Sequence, residues 1–336
     1  MRGWARAALA GVLALTALGA ARADEPLKAK IGVLRLSSSA PVFIAQDKGY
    51  FRDAGLDVEL KYFDAAQPVA VAATSGDIDV GITAFTAGLY NLAGKGALKI
   101  IGGVNRDVPG FRAIGYYVSN RAYDAGVRTL RDFAGHSAGV TTVGSTYHYT
   151  LGLLEQHGGV APKAVRVLAL QSIPNIASAL TGGQTDIAVL PVPYATPAEK
   201  RGNYKLLGYV SDVAPWQVGV IWTATKTANT KPDLVKRFYR AYRKGGRDYN
   251  DAFTGPDGKR IEGPTAPAVL AIIAKHIGQT VEQIAPGISY VDPDGRLDLA
   301  DIANQIRWYK SQGMVKSGGE AKNLVDRRYA VDVAGK

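Results

Sequence analysis

The strongest constraint on the fold is a strand-and-helix pattern that occurs twice, 107 residues apart. In the first copy, AKIGVLR (29–35) is a short apolar run, Leu36-Ser37-Ser38-Ser39 is a polar turn, and VFIAQDKGYF opens with apolar residues at helical spacing. LDVELKYF then alternates as a strand, PVAVAATSG reads as a helix stopped at Gly76, and DVGIT is a buried strand with β-branched residues. Strands that alternate with helices give an α/β fold with a mostly parallel sheet. Aligned without gaps, residues 32–83 match 139–190 at ten of 52 positions, among them Gly32/Gly139, Ser38/Ser145, Gly76/Gly183 and Asp79/Asp186. One offset aligns both the hydroxyl-bearing turn after the first strand and the helix stop before the last. Two similar α/β lobes account for this, with convergent patterning as the competing explanation.

The N-terminus places Arg2 and Arg6 ahead of an uncharged apolar run, Ala7 to Ala21, that ends in Ala21-Arg22-Ala23. This is the pattern of a secretory signal peptide over residues 1–23, and the run is too short for a bilayer span of about 20 apolar residues. Loss of the leader removes three arginines and no acid, so the formal charge falls from +11 to +8. The remaining Lys and Arg are scattered, apart from Lys236, Arg237, Arg240, Arg243, Lys244 and Arg247, whose helical spacing reads as a solvated face. Nucleic acid is therefore not an expected partner, whereas a basic field favours anionic ligands by steering. The chain has no cysteine, which excludes disulfides, thiolate catalysis and a lipidated N-terminal Cys. A chain of this length calls for two domains. RAIGYYVSN (112–120) and VGVIWTATK (218–226) are the candidate crossings, giving one lobe of 24–117 plus 219–336 and another of 118–218. Three C-terminal helices, opening at Pro232, Ala266 and Leu299, are expected to pack on the first lobe, the first of them stopping at Gly245-Gly246.

Motifs for catalysis are missing. His136, His148, His157 and His276 have no shared helical face, and neither CxxC nor HExxH occurs, so no metal and no cofactor are expected. Gly144-Ser145-Thr146-Tyr147 departs from a nucleophile elbow, and Gly88 to Gly94-Lys95 departs from a phosphate loop. What remains is a set of polar turns at the carboxyl ends of expected parallel strands: Ser37, Ser38 and Ser39; Thr83, Phe85 and Thr86; Thr141, Thr142, Ser145 and Thr146. Ligands of open α/β sheets bind at that edge, and helix starts hold anions through unpaired N–H groups. Each Ser or Thr taken singly is as well read as a helix cap. The repeated pair, Ser38/Ser39 and Ser145/Thr146, points to one shared cleft. Tyr147, His148, Tyr194 and Trp216 bring rings near the second turn, which suits an organic or aromatic ligand, while Tyr149 reads as core. Arg35 is either a bidentate carboxylate partner or a salt-bridged rim residue.

KIGVLRLSSSAPVFIAQDKGYFRDAGLDVEL followed by TSGDIDVGITAFTAGLYNLAGKG resembles the periplasmic binding components of nitrate, sulfonate and taurine ABC importers, a family that includes thiamine-pyrimidine-precursor binders. The carrying stretches are Ala45 to Phe51, Ala54-Gly55-Leu56-Asp57-Val58 and Gly76-Asp77-Ile78-Asp79-Val80-Gly81. The resemblance implies a type II periplasmic-binding-protein fold, two lobes around a ligand cleft, and closure by hinge motion. It implies a monomer in the periplasm that works with an ABC permease and an ATPase. By position it assigns Ser38, Ser39, Thr83, Thr142, Ser145 and Thr146 to the ligand, which is read as a small organic anion, an aromatic carboxylate or a sulfonate. An enzyme acting on a small heterocycle and a sensing subunit for a membrane receptor are the alternatives on the same scaffold.

Overall fold

The computed structural model describes residues 25–316 and 320–333, so the expected leader lies outside the described residues. Strands β1 (Leu27–Leu34), β2 (Leu56–Phe63), β3 (Val80–Ala84) and β4 (Leu98–Gly103) build a first sheet. The chain leaves it through β5 (Asn105–Asp107) and forms a second sheet from β6 (Ile114–Ser119), β7 (Ser137–Val140), β8 (Arg166–Ala169), β9 (Ile187–Pro191) and β10 (Tyr204–Tyr209). It returns through β11 (Trp216–Gln217) to β12 (Gly219–Ala224) in the first sheet, and β13 (Tyr290–Val291) joins β5 and β11 in a small third sheet. The orders are β2-β1-β3-β12-β4 and β10-β6-β9-β7-β8. In each, one strand from the far side runs antiparallel beside a parallel set: β12 against β3, and β6 against β9.

The duplication is visible in hydrogen bonds. Asp79 accepts from the Lys30 N–H at 2.9 Å and returns its own N–H to the Lys30 carbonyl at 2.7 Å. One repeat later, Asp186 accepts from the Ser137 N–H at 2.9 Å and donates to the Ser137 carbonyl at 3.1 Å. Each aspartate also holds a cation, Lys231 at 2.9 Å and Arg121 at 2.8 Å. The Asp of the G-x-x-D step thus pins the start of the last strand of each copy to the strand beside it.

Three expectations change. RAIGYYVSN and VGVIWTATK are not crossings: β6 lies in the second sheet and β12 in the first, and the chain crosses in the segments before them. The boundary at 117/118 therefore falls inside β6, whose six residues are all buried and read the same in either role. The helix that opens at Pro232 does not stop at Gly245-Gly246 but runs to Phe253. Gly245 is instead the crossing point with the Ala40–Asp47 helix, where a Cβ would stand 2.1 Å from the Pro41 carbonyl oxygen. On its outer face Arg237 pairs with Asp233 at 2.8 Å, while Arg243 and Arg247 share Asp294. The Leu299–Ser311 helix does not pack on the first lobe alone. Its Gln305 takes the Tyr90 hydroxyl at 3.0 Å and donates to the Gln217 carbonyl at 2.8 Å, and its Tyr309 donates to the Ser145 carbonyl at 3.1 Å. It is a strut joining both halves to the return crossing. Among the described residues no helix is long and apolar enough to cross a membrane.

Candidate functional site

A cleft runs between the carboxyl-terminal edges of the two large sheets. Leu34, Leu36, Asp64, Thr83 and Ala84 line it from the strand ends of the first, and Thr141, Thr142 and Pro191 from those of the second. The antiparallel strands enter the sheets at this same edge, so Ile114 of β6 and Val218, just before β12, line it as well. Its empty space, open solvent at the mouth included, is ≈ 850 Å³.

The first residues of several helical segments line the cleft: Ser37 and Ser38, Ala66 and Gln67, Thr86, Ser145 with Thr146 and Tyr147, and Ile173. First-turn N–H groups have no carbonyl inside their own helix and carry the positive end of its dipole. Thr86 accepts from the Leu89 N–H at 3.1 Å and donates to Gln67 Oε1 at 3.1 Å. Ser145 accepts from the His148 N–H at 3.3 Å. Both are caps: the Thr86 hydroxyl proton is taken by Gln67, while the Ser145 hydroxyl accepts and keeps its proton for another acceptor. The lobes touch here: Thr146 Oγ1 donates to the Phe85 carbonyl at 2.8 Å, and the Ala87 N–H donates to the Gly144 carbonyl at 2.9 Å. Gly144 has φ +82°, and a Cβ there would meet Ala87 at 2.9 Å, so a glycine is required by both conformation and contact.

The residues singled out from sequence separate into two groups. Ser38, Thr83, Thr142, Ser145, Thr146 and Tyr147 are brought together in the lining. Burial raises the Tyr147 phenol, which stays protonated and able to donate. The other six are placed elsewhere. Arg35 donates to the His276 carbonyl at 2.9 Å and stacks over the Tyr62 ring at 3.9 Å, so its guanidinium is committed at the rim. Ser39 is buried at the start of the Ala40–Asp47 helix, and Phe85 is buried against Tyr90 with ring centres 5.2 Å apart. His148 Nδ1 accepts from the Gly144 N–H at 3.0 Å while its ring meets Trp308 edge-on at 5.5 Å. Burial lowers its pKa to about 4, so the ring is neutral. Tyr194 falls on the Val192–Lys200 helix, and Trp216 packs on Tyr149 at 5.1 Å within a ring cluster that includes Tyr309. The rings near the second turn thus bind the lobes together, and Tyr147 alone of them lines the cleft.

Asp64, Gln67, Asn105, Ile173 and Ser289 also line the cleft and were not singled out from sequence. Asp64 and Gln67 follow the end of β2, the same strand-end position that marked the other turns, so the rule that found Thr83 reaches them too. Asn105 and Ser289 arrive through the small third sheet and the turn before it, for which a sequence pattern gives no signal. Both are buried, and Asn105 Oδ1 and Ser289 Oγ have no hydrogen-bond partner among the described residues. Buried polar atoms without partners are costly, so these two are candidates to hydrogen-bond a polar group in the cleft. No Lys, Arg or His is among the lining residues, so negative charge there meets amides and hydroxyls, with the Asp64 carboxylate as the one charged side chain of the lining.

The chain is 26% identical over 211 residues to the taurine-binding periplasmic protein of Escherichia coli (strain K12), a match covering 61% of this chain and 62% of that protein's length. In three dimensions it is similar to the alkanesulfonate-binding protein SsuA from Xanthomonas axonopodis pv. citri bound to MOPS, with a TM-score of 0.71, 16% identity, and 90% and 99% of the two chains covered. It is also similar to the desulfurization enzyme DSZB, with a TM-score of 0.63, 14% identity, and 90% and 97% covered. These likenesses establish the periplasmic-binding-protein fold that the two sheets and their cleft display. Residues 37–258, which carry the first half of the duplication from the turn after its first strand, the whole second half and the whole second sheet, match the NMT1/THI5-like family, and the chain belongs to that family.

Proposed function

We propose that this protein is the periplasmic solute-binding component of an ABC importer, taking up a small organic anion, with a sulfonate favoured over an aromatic carboxylate. The observation that carries the reading is the cleft itself, where helix starts and hydroxyls from both halves converge without a cationic side chain. A three-oxygen anionic group suits several weak donors spread over two walls better than one bidentate arginine would. A single lining ring, Tyr147, favours a short aliphatic body. The lobes built on the two large sheets close over the ligand about the two crossings, and the closed face is what the permease and its ATPase read. Residues 1–23 direct export, and the product works as a monomer in the periplasm. The alkanesulfonate and taurine names of its relatives support this ligand class.

The likeness to an enzyme keeps a second reading in view, turnover of the ligand on the same scaffold. The lining supplies donors, not a paired nucleophile and base, which supports binding without chemistry. A calorimetric and thermal-shift screen of sulfonates, carboxylates and nitrate tests the ligand class, and mass spectrometry of the recovered ligand tests turnover. Replacing Ser38 and Ser145 together with Ala weakens the binding of the selected ligand about 100-fold or more, as loss of two hydrogen bonds to a charged group requires. Unchanged affinity in that folded double variant places the ligand elsewhere.

A further inference from the structure

Between Asp233 and Asp248 the Pro232–Phe253 helix carries six cations and no acid: Lys236, Arg237, Arg240, Arg243, Lys244 and Arg247. Lys236, Arg240, Lys244 and Arg247 are exposed on its outer face. The exposed Arg328 joins them from the C-terminal segment around an open depression, which the buried Tyr239 and Tyr329 also line. Arg237 lies in the adjoining depression with Asp53 and Asp233. Seven cations against Asp53, Asp233, Asp294 and Asp326 leave this face at +3. Arg243 and Arg247 are spent on Asp294, and Arg328 on Asp326. Lys236 and Arg240 have no hydrogen-bond or ion-pair partner among the described residues, and Lys244 meets the Tyr50 ring at 5.4 Å. These three follow at four-residue steps, about 6 Å apart along the axis, where like charges repel. A helix that needed only solubility would interleave acids at those steps.

We propose that this outer face is a membrane-docking surface, laid against the headgroups of anionic phospholipids. A site for one small anion would converge its donors, whereas the cations that converge here already hold carboxylates and the free ones are spread along the helix. Spread cations on an open face match a plane of many separate anions. A protein partner needs apolar anchors at the centre of its interface, and none of the exposed large apolar residues, Leu27, Val71, Val143, Ile261 and Val331, lines either depression. Single-stranded nucleic acid needs exposed rings on which bases stack, and both tyrosines here are buried. With no apolar residue to insert, docking is reversible and sensitive to salt. None of these residues lines the cleft, so the ligand and the bilayer do not compete for a side chain. The competing role is a solvated face that raises net charge and nothing more.

The test is co-sedimentation of the full mature chain with vesicles of phosphatidylcholine alone and of phosphatidylcholine and phosphatidylglycerol in equal parts. It is run at about 0.15 M ionic strength, where screening acts over about 8 Å, and again at high salt. One variant combines Lys236→Gln, Arg240→Gln and Lys244→Gln. A control removes the same charge from exposed positions of the second lobe, Lys200→Gln, Arg201→Gln and Lys205→Gln. Circular dichroism establishes that both are folded. The unaltered protein is expected to sediment with the phosphatidylglycerol vesicles, to ignore phosphatidylcholine alone and to be released by salt. The helix variant is expected to bind about 100-fold more weakly, as loss of three cations at the surface requires, while the control stays close to the unaltered protein. Equal losses in the two variants would assign binding to net charge and overturn the proposal, as would no binding to phosphatidylglycerol vesicles or equal binding to phosphatidylcholine alone. Retention on immobilised polyglutamate through the same three residues, without vesicle binding, would make the partner an acidic protein and overturn it too.

Discussion

His148 shows how a residue near a binding turn acts without facing the ligand. Its Nδ1 accepts the Gly144 N–H, and Gly144 in turn accepts the Ala87 N–H from the other lobe, so the neutral ring holds the turn that touches across the cleft. Burial depresses its pKa to about 4 from an ordinary value near 6.5. A depressed value means that the unfolded chain takes up a proton which the folded chain refuses. The stabilisation is therefore complete above about pH 6.5 and is lost as pH falls through about 4. The expected loss from this ring is on the order of 2 kcal/mol, read by denaturant titration at pH 7 and pH 4. His148→Asn, whose amide oxygen can still accept from Gly144, flattens that difference. The sequence marked His148 as a ring beside the second turn, and its bonds place it behind that turn, holding Gly144.

At the scale of elements, Gly245 decides how the first lobe is packed. A glycine pair inside an amphipathic pattern reads as a helix stop, because Gly costs a helix about 1 kcal/mol relative to Ala. Here it serves close approach, with the Ala40–Asp47 helix lying against its bare Cα. Gly245→Ala is a better helix former, yet its methyl would stand 2.1 Å from the Pro41 carbonyl oxygen. Backbone cannot yield as a side chain does, so the variant is expected to lose about 3 kcal/mol despite the gain in propensity, measured as a lower denaturation midpoint. An unchanged midpoint would show that the two helices slide apart freely. The strut of Leu299–Ser311 illustrates the converse. Its spacing gave a helix, but its partners lie on two sheets, over Gly152 where the Trp308 ring leaves no room for a Cβ, and against Ser145 and Gln217. Periodicity specifies which face is apolar and says nothing of which of two lobes will cover it.

For the molecule as a whole, the two crossings are where opening and closing must be absorbed, and they contain an unusual acid. Asp107 of β5 is fully buried opposite Trp216 of β11, and among the described residues neither carboxyl oxygen has a hydrogen-bond partner. Burial raises this carboxyl well above the ordinary range, and Asp212 adds to the effect. A raised value gives stability that is full below the ordinary carboxylate pKa and is lost as pH rises through the folded one. Asp107→Asn removes that decline, so the variant is expected to be more stable than the natural chain at pH 8 and to match it at pH 4. Parallel pH–stability curves for the two proteins would remove Asp107 as their cause. From the sequence alone followed the α/β class, the duplicated halves and the hydroxyl turns at strand ends, because each is a local pattern repeated within a few dozen residues. Only the tertiary structure decided that Trp216 joins the lobes instead of lining the cleft, that Arg35 is spent on Tyr62 and His276, and that Asp64, Asn105 and Ser289 share one cavity. Those outcomes depend on which residues meet across hundreds of positions, and such meetings are set by packing of whole sheets and helices, not by the spacing of residues along the chain.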